Sequence, residues 1–244
     1  MRLDKNICLG GRFNNKDVIG IKLNGHIIYE YGYNSRIYKP YEFRDDNDLV
    51  TVDTLVTSVN THLDEMFQNC NKLTTINGID DWDTSNVTNM SYMFHNCSKL
   101  TSLDLSSFDT SNVKYMDNMF FNCTNLVELN LSNFTFVEYE THMFEGCINL
   151  KKLDLSNCKC YKYLDSYIFG SYEENRCLNL IEVRLDNCDY ETVKNIARVI
   201  PDRTGQETRG KIYIDRVAYE KYGETVWHPN GWDFVNKDTE EIIN

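Results

Sequence analysis

A phrase of about 25 residues recurs along this chain. A period in that range restricts a sequence to architectures in which each copy packs only on its neighbours. The pairs Met66-Phe67, Met93-Phe94, Met119-Phe120, Met143-Phe144 and a drifted Ile168-Phe169 follow one another at 27, 26, 24 and 25 residues. Cys70, Cys97, Cys123 and Cys147 lie three residues after the first four Phe, and Leu73, Leu100, Leu126 and Leu150 three residues further on. In the fifth copy five extra residues, within GSYEENRC, delay Cys177 and Leu180, as an insertion in a loop on one face would.

The periodicity changes inside each copy. Met90, Met93, Phe94 and Cys97 have the i, i+3, i+4, i+7 spacing of a short helix with one buried face. Leu103 and Leu105 then alternate with Ser102, Asp104 and Ser106, the pattern of a strand with one wet face. DTSNV, at 83–87 and again at 109–113, turns the chain, because these side chains bond nearby backbone amides. No copy can bury its Leu row and its Met/Phe row alone, whereas stacked copies form continuous ladders. The expected fold is therefore α/β: a leucine-rich-repeat solenoid with a parallel sheet on one face, short helices on the other, and distinct N- and C-terminal caps.

The ends depart from the repeat. DVIGIKLNGHIIYEYG alternates around Asn24-Gly25, a type I′ hairpin signal, and DLVTVDTLVTSVNTHLDEMF reads as a degenerate first layer. ETVKNIARVI has helical spacing through Val193, Ile196, Ala197 and Ile200 and stops before Pro201; GKIYID follows as a strand and NGWDFV closes the chain. The expected organisation is a hairpin docking or capping unit with linker at 1–48, repeats at 49–189 and a cap at 190–244.

A hydrophobic fraction of 41% suffices for a core, and a net charge of -12 repels phosphate backbones and anionic lipid. Nucleic acid is thus not an expected partner. Nowhere do 18 apolar residues run together, so membrane insertion is not expected, and the first residues lack the apolar core of a secretory signal. Cys8 follows no such stretch and reads as an ordinary small apolar residue.

Four of the nine cysteines fall at the repeat period, which points to a ladder of reduced, buried thiols. Cys158 and Cys160 are two apart, unlike zinc-knuckle pairs, and His26, His62, His95, His142 and His228 are scattered, so neither metal nor cofactor is expected. Asp104 and Asp154, two layers apart, would be about 10 Å from each other. With no recognised constellation, catalysis is not the expected activity.

The variable wet rows are the candidate binding face. Aligning the copies gives one row through Thr75, Ser102, Glu128, Lys152 and Glu182, and a second near Asn77 and through Asp104, Asn130, Asp154 and Arg184. A third runs through Asp80, Ser106, Ser132, Ser156 and Asp186. Solenoids recognise partners through such extended surfaces; the alternative is that these rows only keep the sheet hydrated.

MFxxCxxLxxLxLSxFDTSNVxxM, filled by Met93 to Met116, resembles the BspA-like leucine-rich repeats of bacterial surface proteins, also found in phages and some protists. The resemblance covers about residues 49–189. It implies a right-handed solenoid with a concave parallel sheet used for adhesion or recognition, and it carries no particular binding residue onto this chain. IGIKLNGHIIYEYG is similar to hairpins near the starts of many phage structural and tail-associated proteins, and VIPDRTGQETRGKIYI with NGWDFV to segments that close such repeats.

The expectation is accordingly a virion surface protein, assembled in the host cytoplasm. Its N-terminal unit would meet other virion proteins and its repeats a host-cell protein or glycan. A bacterial adhesin and an intracellular interaction module are the alternatives. Homo-oligomerisation stays open, since no coiled-coil heptads impose it.

Overall fold

The computed structural model describes residues 11–13, 16–23, 26–31, 43–53, 60–136, 141–160, 164, 166–170, 172, 176–216, 219–220 and 229–243. The chain is a parallel β-solenoid. Each copy gives one three-residue strand: β4 (Thr51–Asp53), β5 (Thr75–Asn77), β6 (Ser102–Asp104), β7 (Glu128–Asn130), β9 (Lys152–Asp154) and β11 (Glu182–Arg184). On the return path β8 (Thr135–Phe136) and β10 (Lys159–Cys160) form a separate parallel pair.

The ladders expected from the repeat are present. Phe43, Phe67, Phe94, Phe120, Phe144 and Phe169 stack with ring centroids 5.5, 5.6, 5.6, 6.0 and 5.2 Å apart. Each such contact contributes about 0.5–1.5 kcal/mol beyond simple burial. Phe43 shows that the ladder begins one layer before the first Met-Phe pair. Beside it, each thiol reaches back one layer: Cys97 donates to the Phe67 carbonyl (3.1 Å), Cys123 to Phe94 (3.1 Å), Cys147 to Phe120 (3.0 Å) and Cys177 to Phe144 (3.0 Å). Burial pushes Cys70 and Cys188 up to about 12 and raises Cys97, Cys123, Cys158 and Cys177 as well.

The short helices expected opposite the sheet are replaced by consecutive turns. Within a layer Met93, His95 and Cys97 donate to the carbonyls three residues back (3.3, 3.1 and 3.0 Å), but Tyr92, Phe94 and Asn96 donate to Asp117, Met119 and Phe121 of the next layer (2.9, 2.9 and 2.8 Å). An α-helix would spend all these amides internally. The diversion requires left-handed backbone twice per copy, at Glu65 and Asn69, Tyr92 and Asn96, Asn118 and Asn122, and His142 and Gly146. Asn and Gly tolerate that conformation best, and they fill the row directly before the cysteines. Asn96 also donates to Asn69 Oδ1 of the preceding layer (2.7 Å).

Both ends are closed. β2 (Lys16–Leu23) pairs antiparallel with β1 (Gly11–Phe13), with β3 (His26–Tyr31) and with β4, so the hairpin covers the edge of the first layer. The Asn24-Gly25 turn, Cys8 and the chain at 32–42 lie outside the described residues, as do 54–59, 137–140 and most of the fifth-copy insertion.

At the other end α1 (Tyr190–Val199) is capped by Asp189, whose carboxylate accepts the Thr192 amide (2.8 Å). β12 (Gly210–Ile214) and β13 (Trp232–Asn236) then extend the sheet in parallel. Residues 241–243 double back on β13 through an antiparallel bridge between Val235 and Ile242. Buried Arg203 ties this cap to the repeats by donating to the carbonyls of Leu178 (2.8 Å), Leu180 (2.7 Å) and Thr208 (2.9 Å).

Two outcomes follow. Asn96→Ala, which places a Cβ-restricted residue in left-handed backbone and removes a ladder bond, should lower urea-unfolding stability by about 2 kcal/mol, with Asn96→Gly losing less. Stability equal to wild type in the alanine variant would contradict the turn-ridge account. The thiols are protonated in the fold and ionise near 8.5 when unfolded. Their contribution is therefore complete below about pH 8.5 and is lost as pH rises toward about 12. Native labelling at pH 8 should run about a thousandfold slower than in denaturant, as read by mass spectrometry.

Candidate functional site

The sheet register brings together the two rows aligned from the repeat. Ser102, Glu128, Lys152 and Glu182 are direct partners on neighbouring strands, as are Asp104, Asn130, Asp154 and Arg184. The register continues onto Lys211 and Asp233 in the first row and Tyr213 in the second. The repeat alignment misses these because the closing segment lacks the Met-Phe and Cys markers; the alternation in GKIYID was the available signal.

The first row alternates in charge from Glu128 through Lys152, Glu182 and Lys211 to Asp233, so each acid lies beside a base. Lys152 Nζ is 3.2 Å from Glu128, and its pKa is raised by that hydrogen bond and charge and by the charge of Glu182. Asp233 also accepts from Arg209 Nε (2.6 Å).

The second row works differently. Oδ1 of Asp104, Asn130 and Asp154 accepts the backbone amide two residues on, from Ser106 (2.9 Å), Ser132 (3.0 Å) and Ser156 (2.9 Å), and so sets the turn after each strand. Partial burial pulls the Asp104 pKa upward, but donors from Ser106 and Asn130 outweigh it, and the carboxyl sits below its usual range. Arg184 turns to Asp186 (Nη2 at 2.5 Å, Nε at 3.1 Å) and lies over the Tyr213 ring at 4.9 Å.

The third row lies beyond the strand ends. Ser106, Ser132 and Asp186 are half-buried, and Ser156 is buried, not on a wet face. There the chain has left the strand period: Cys158 N–H bonds Leu155 O (3.2 Å), and the Ser156 carbonyl accepts from Asn133 of the preceding layer (2.8 Å).

A concavity of about 780 Å³ opens on this face. Nine of the expected residues line it, namely Ser102, Asp104, Ser106, Glu128, Asn130, Lys152, Asp154, Glu182 and Arg184; Ser132, Ser156 and Asp186 do not. Its origin is a break in the sheet. β5 pairs with β4 and β6 with β7, but β5 and β6 belong to separate sheets. The first full copy has nine residues from Leu73 to Trp82 where the second has eight from Leu100 to Phe108. The extra length is taken up at Gly78, in left-handed backbone at φ 69°, and in a 3₁₀ turn at Ile79–Asp81. Half-buried Ile79 faces the concavity together with Ile76 and Leu103.

The opening is local. The same two layers remain joined on the ridge, where Phe67 N–H bonds Met93 O (2.9 Å), and at the turn, where Thr84 Oγ1 donates to Asp109 O (3.0 Å) and accepts its amide (2.8 Å).

Asp104 and Asp154 stand two strands apart, about 10 Å on ordinary spacing. Among the described residues no group of three or more His, Cys, Asp or Glu is placed to hold a metal ion, and no helix is long and apolar enough to cross a membrane. His95 stacks on Phe121 at 4.9 Å with its pKa lowered by burial, His142 pairs with Glu145, and His62 bonds Thr61. His228 lies outside the described residues.

Because the folded Asp104 carboxyl is held below its usual range, its charged form adds stability at neutral pH that is lost as pH falls through the carboxylate range. Asn at this position keeps the turn-setting oxygen. Wild type should therefore melt above Asp104→Asn at pH 7, with the difference closing toward pH 3; a difference independent of pH would contradict the assignment.

Residues 40–158 match a family described as "Mycoplasma protein of unknown function, DUF285". No curated protein matches the chain. A leucine-rich repeat protein from Bacteroides ovatus ATCC 8483, known from its crystal structure, is similar at 16% identity with a TM-score of 0.34. That match takes in 95% of this chain and spans 60% of the other protein's length. The chain is thus a solenoid repeat protein, similar over residues 40–158 to a family whose function its description leaves open.

Proposed function

We propose that this is a non-enzymatic binding or adhesion protein, displayed on a bacteriophage virion as part of the head, tail fibre or decoration, that recognises a host-cell or mucosal surface through its repeats. One observation carries the reading: a register-matched polar face, free of core duty, surrounds a concavity of about 780 Å³. The buried thiols, by contrast, are protonated and unsuited to nucleophilic work.

The hairpin β2–β3 supports the docking half of the proposal through its likeness to hairpins of phage structural proteins. β2 also caps the solenoid, so attachment to other virion proteins, or to further copies of this chain, falls to the rest of the N-terminal unit. Many copies on one particle would multiply weak individual contacts into firm adhesion.

Immunogold electron microscopy of a lysed culture, with antibody raised against residues 49–189, tests the display. Gold on particles is the expected result. Gold on cell envelopes would favour a bacterial adhesin, and gold on neither an intracellular interaction module.

A further inference from the structure

The charges lining the concavity are unevenly answered. The first row neutralises itself by alternation, and Arg184 is engaged with Asp186. Asp104 and Asp154 remain on either side of neutral Asn130, and Asp80 lines the same space. Their turn-setting role does not explain the two carboxylates, because Asn130 performs the same role with an amide. The negative charge exceeds what the fold needs. Beside it, the break between β5 and β6 exposes an apolar floor of Ile76, Ile79 and Leu103.

Spacing selects the shape of a matching cation. Two strand intervals separate Asp104 from Asp154 by about 10 Å. A polyproline-II segment returns to the same face every third residue, after about 9 Å. A β-strand would instead place same-face residues about 7 or 13 Å apart.

We infer that the concavity binds an extended, polyproline-II-like peptide with Lys or Arg at every third position, its cations on Asp104 and Asp154 and its intervening apolar residues on Ile76, Ile79 and Leu103. The inference rests on the reading of this face as a recognition surface and names its partner's chemistry.

The test uses the full chain and fluorescein-labelled (Lys-Pro-Pro)₃ in anisotropy titrations at low salt, against a peptide of equal composition with its lysines contiguous. The spaced peptide should bind at least about threefold more tightly, Asp104→Asn and Asp154→Asn should each weaken it about threefold, and Glu207→Gln, on the exposed surface of the cap, should change nothing. Equal binding of the two peptides, equal loss in the Glu207 variant, or no binding at low salt would overturn the inference. So would chitosan, a cationic glycan, binding in place of the peptide with the same dependence on Asp104 and Asp154.

Surface adhesion that survives both aspartate substitutions while peptide binding is absent would sink this inference and leave the recognition reading intact. Peptide binding that behaves as expected in a protein found on neither particles nor envelopes would uphold the inference and remove the displayed-surface reading.

Discussion

The division of backbone amides between two jobs is the constraint on which the structure depends. Along the turn ridge one amide closes its own turn and the next crosses to the neighbouring layer, as in the alternation of Met93, His95 and Cys97 with Tyr92, Phe94 and Asn96. A helix would stabilise each copy separately and leave the copies joined only by side chains. Here each layer needs the next for half of its ridge bonds, so cooperativity is built into the backbone, and the Phe stack and thiol contacts fit the spacing this imposes.

The same logic governs the ends. A layer without a neighbour presents unpaired amides and carbonyls, and both termini are spent covering them: β2 on β4 at one end, the returning segment at 241–243 on β13 at the other. Arg203 answers three carbonyls at the start of the cap with one guanidinium, a geometry that a lysine could not reproduce.

The solenoid, its sheet register and its buried ladders were legible because repetition aligns like with like: residues that must stack appear at the same phase, and the rows through Ser102 and Asp104 followed directly. The helices expected on the ridge were not found, because i, i+3, i+4, i+7 spacing also describes successive turns. The discriminating signal was the Asn69, Asn96, Asn122, Gly146 column, a set united by tolerance of left-handed backbone rather than by hydrophobicity. Nor does alternation say where a strand stops, which is why Ser156 was expected on the wet face and is buried. The concavity was hidden for a related reason. It arises from one extra residue near Gly78, visible as a spacing of 27 where later copies have fewer, but only the fold shows that the excess unpairs β5 from β6.

Since every layer presents the same connections above and below, the stack has no preferred number of copies. Gain or loss of one repeat at the level of the gene would shift the two caps by about 5 Å and leave each contact type unchanged. Such a molecule has its reach written in whole layers, like the rungs of a ruler. Its partner specificity can vary rung by rung through residues such as Asp104, Asn130 and Asp154, at the same time and without altering the ladders behind them.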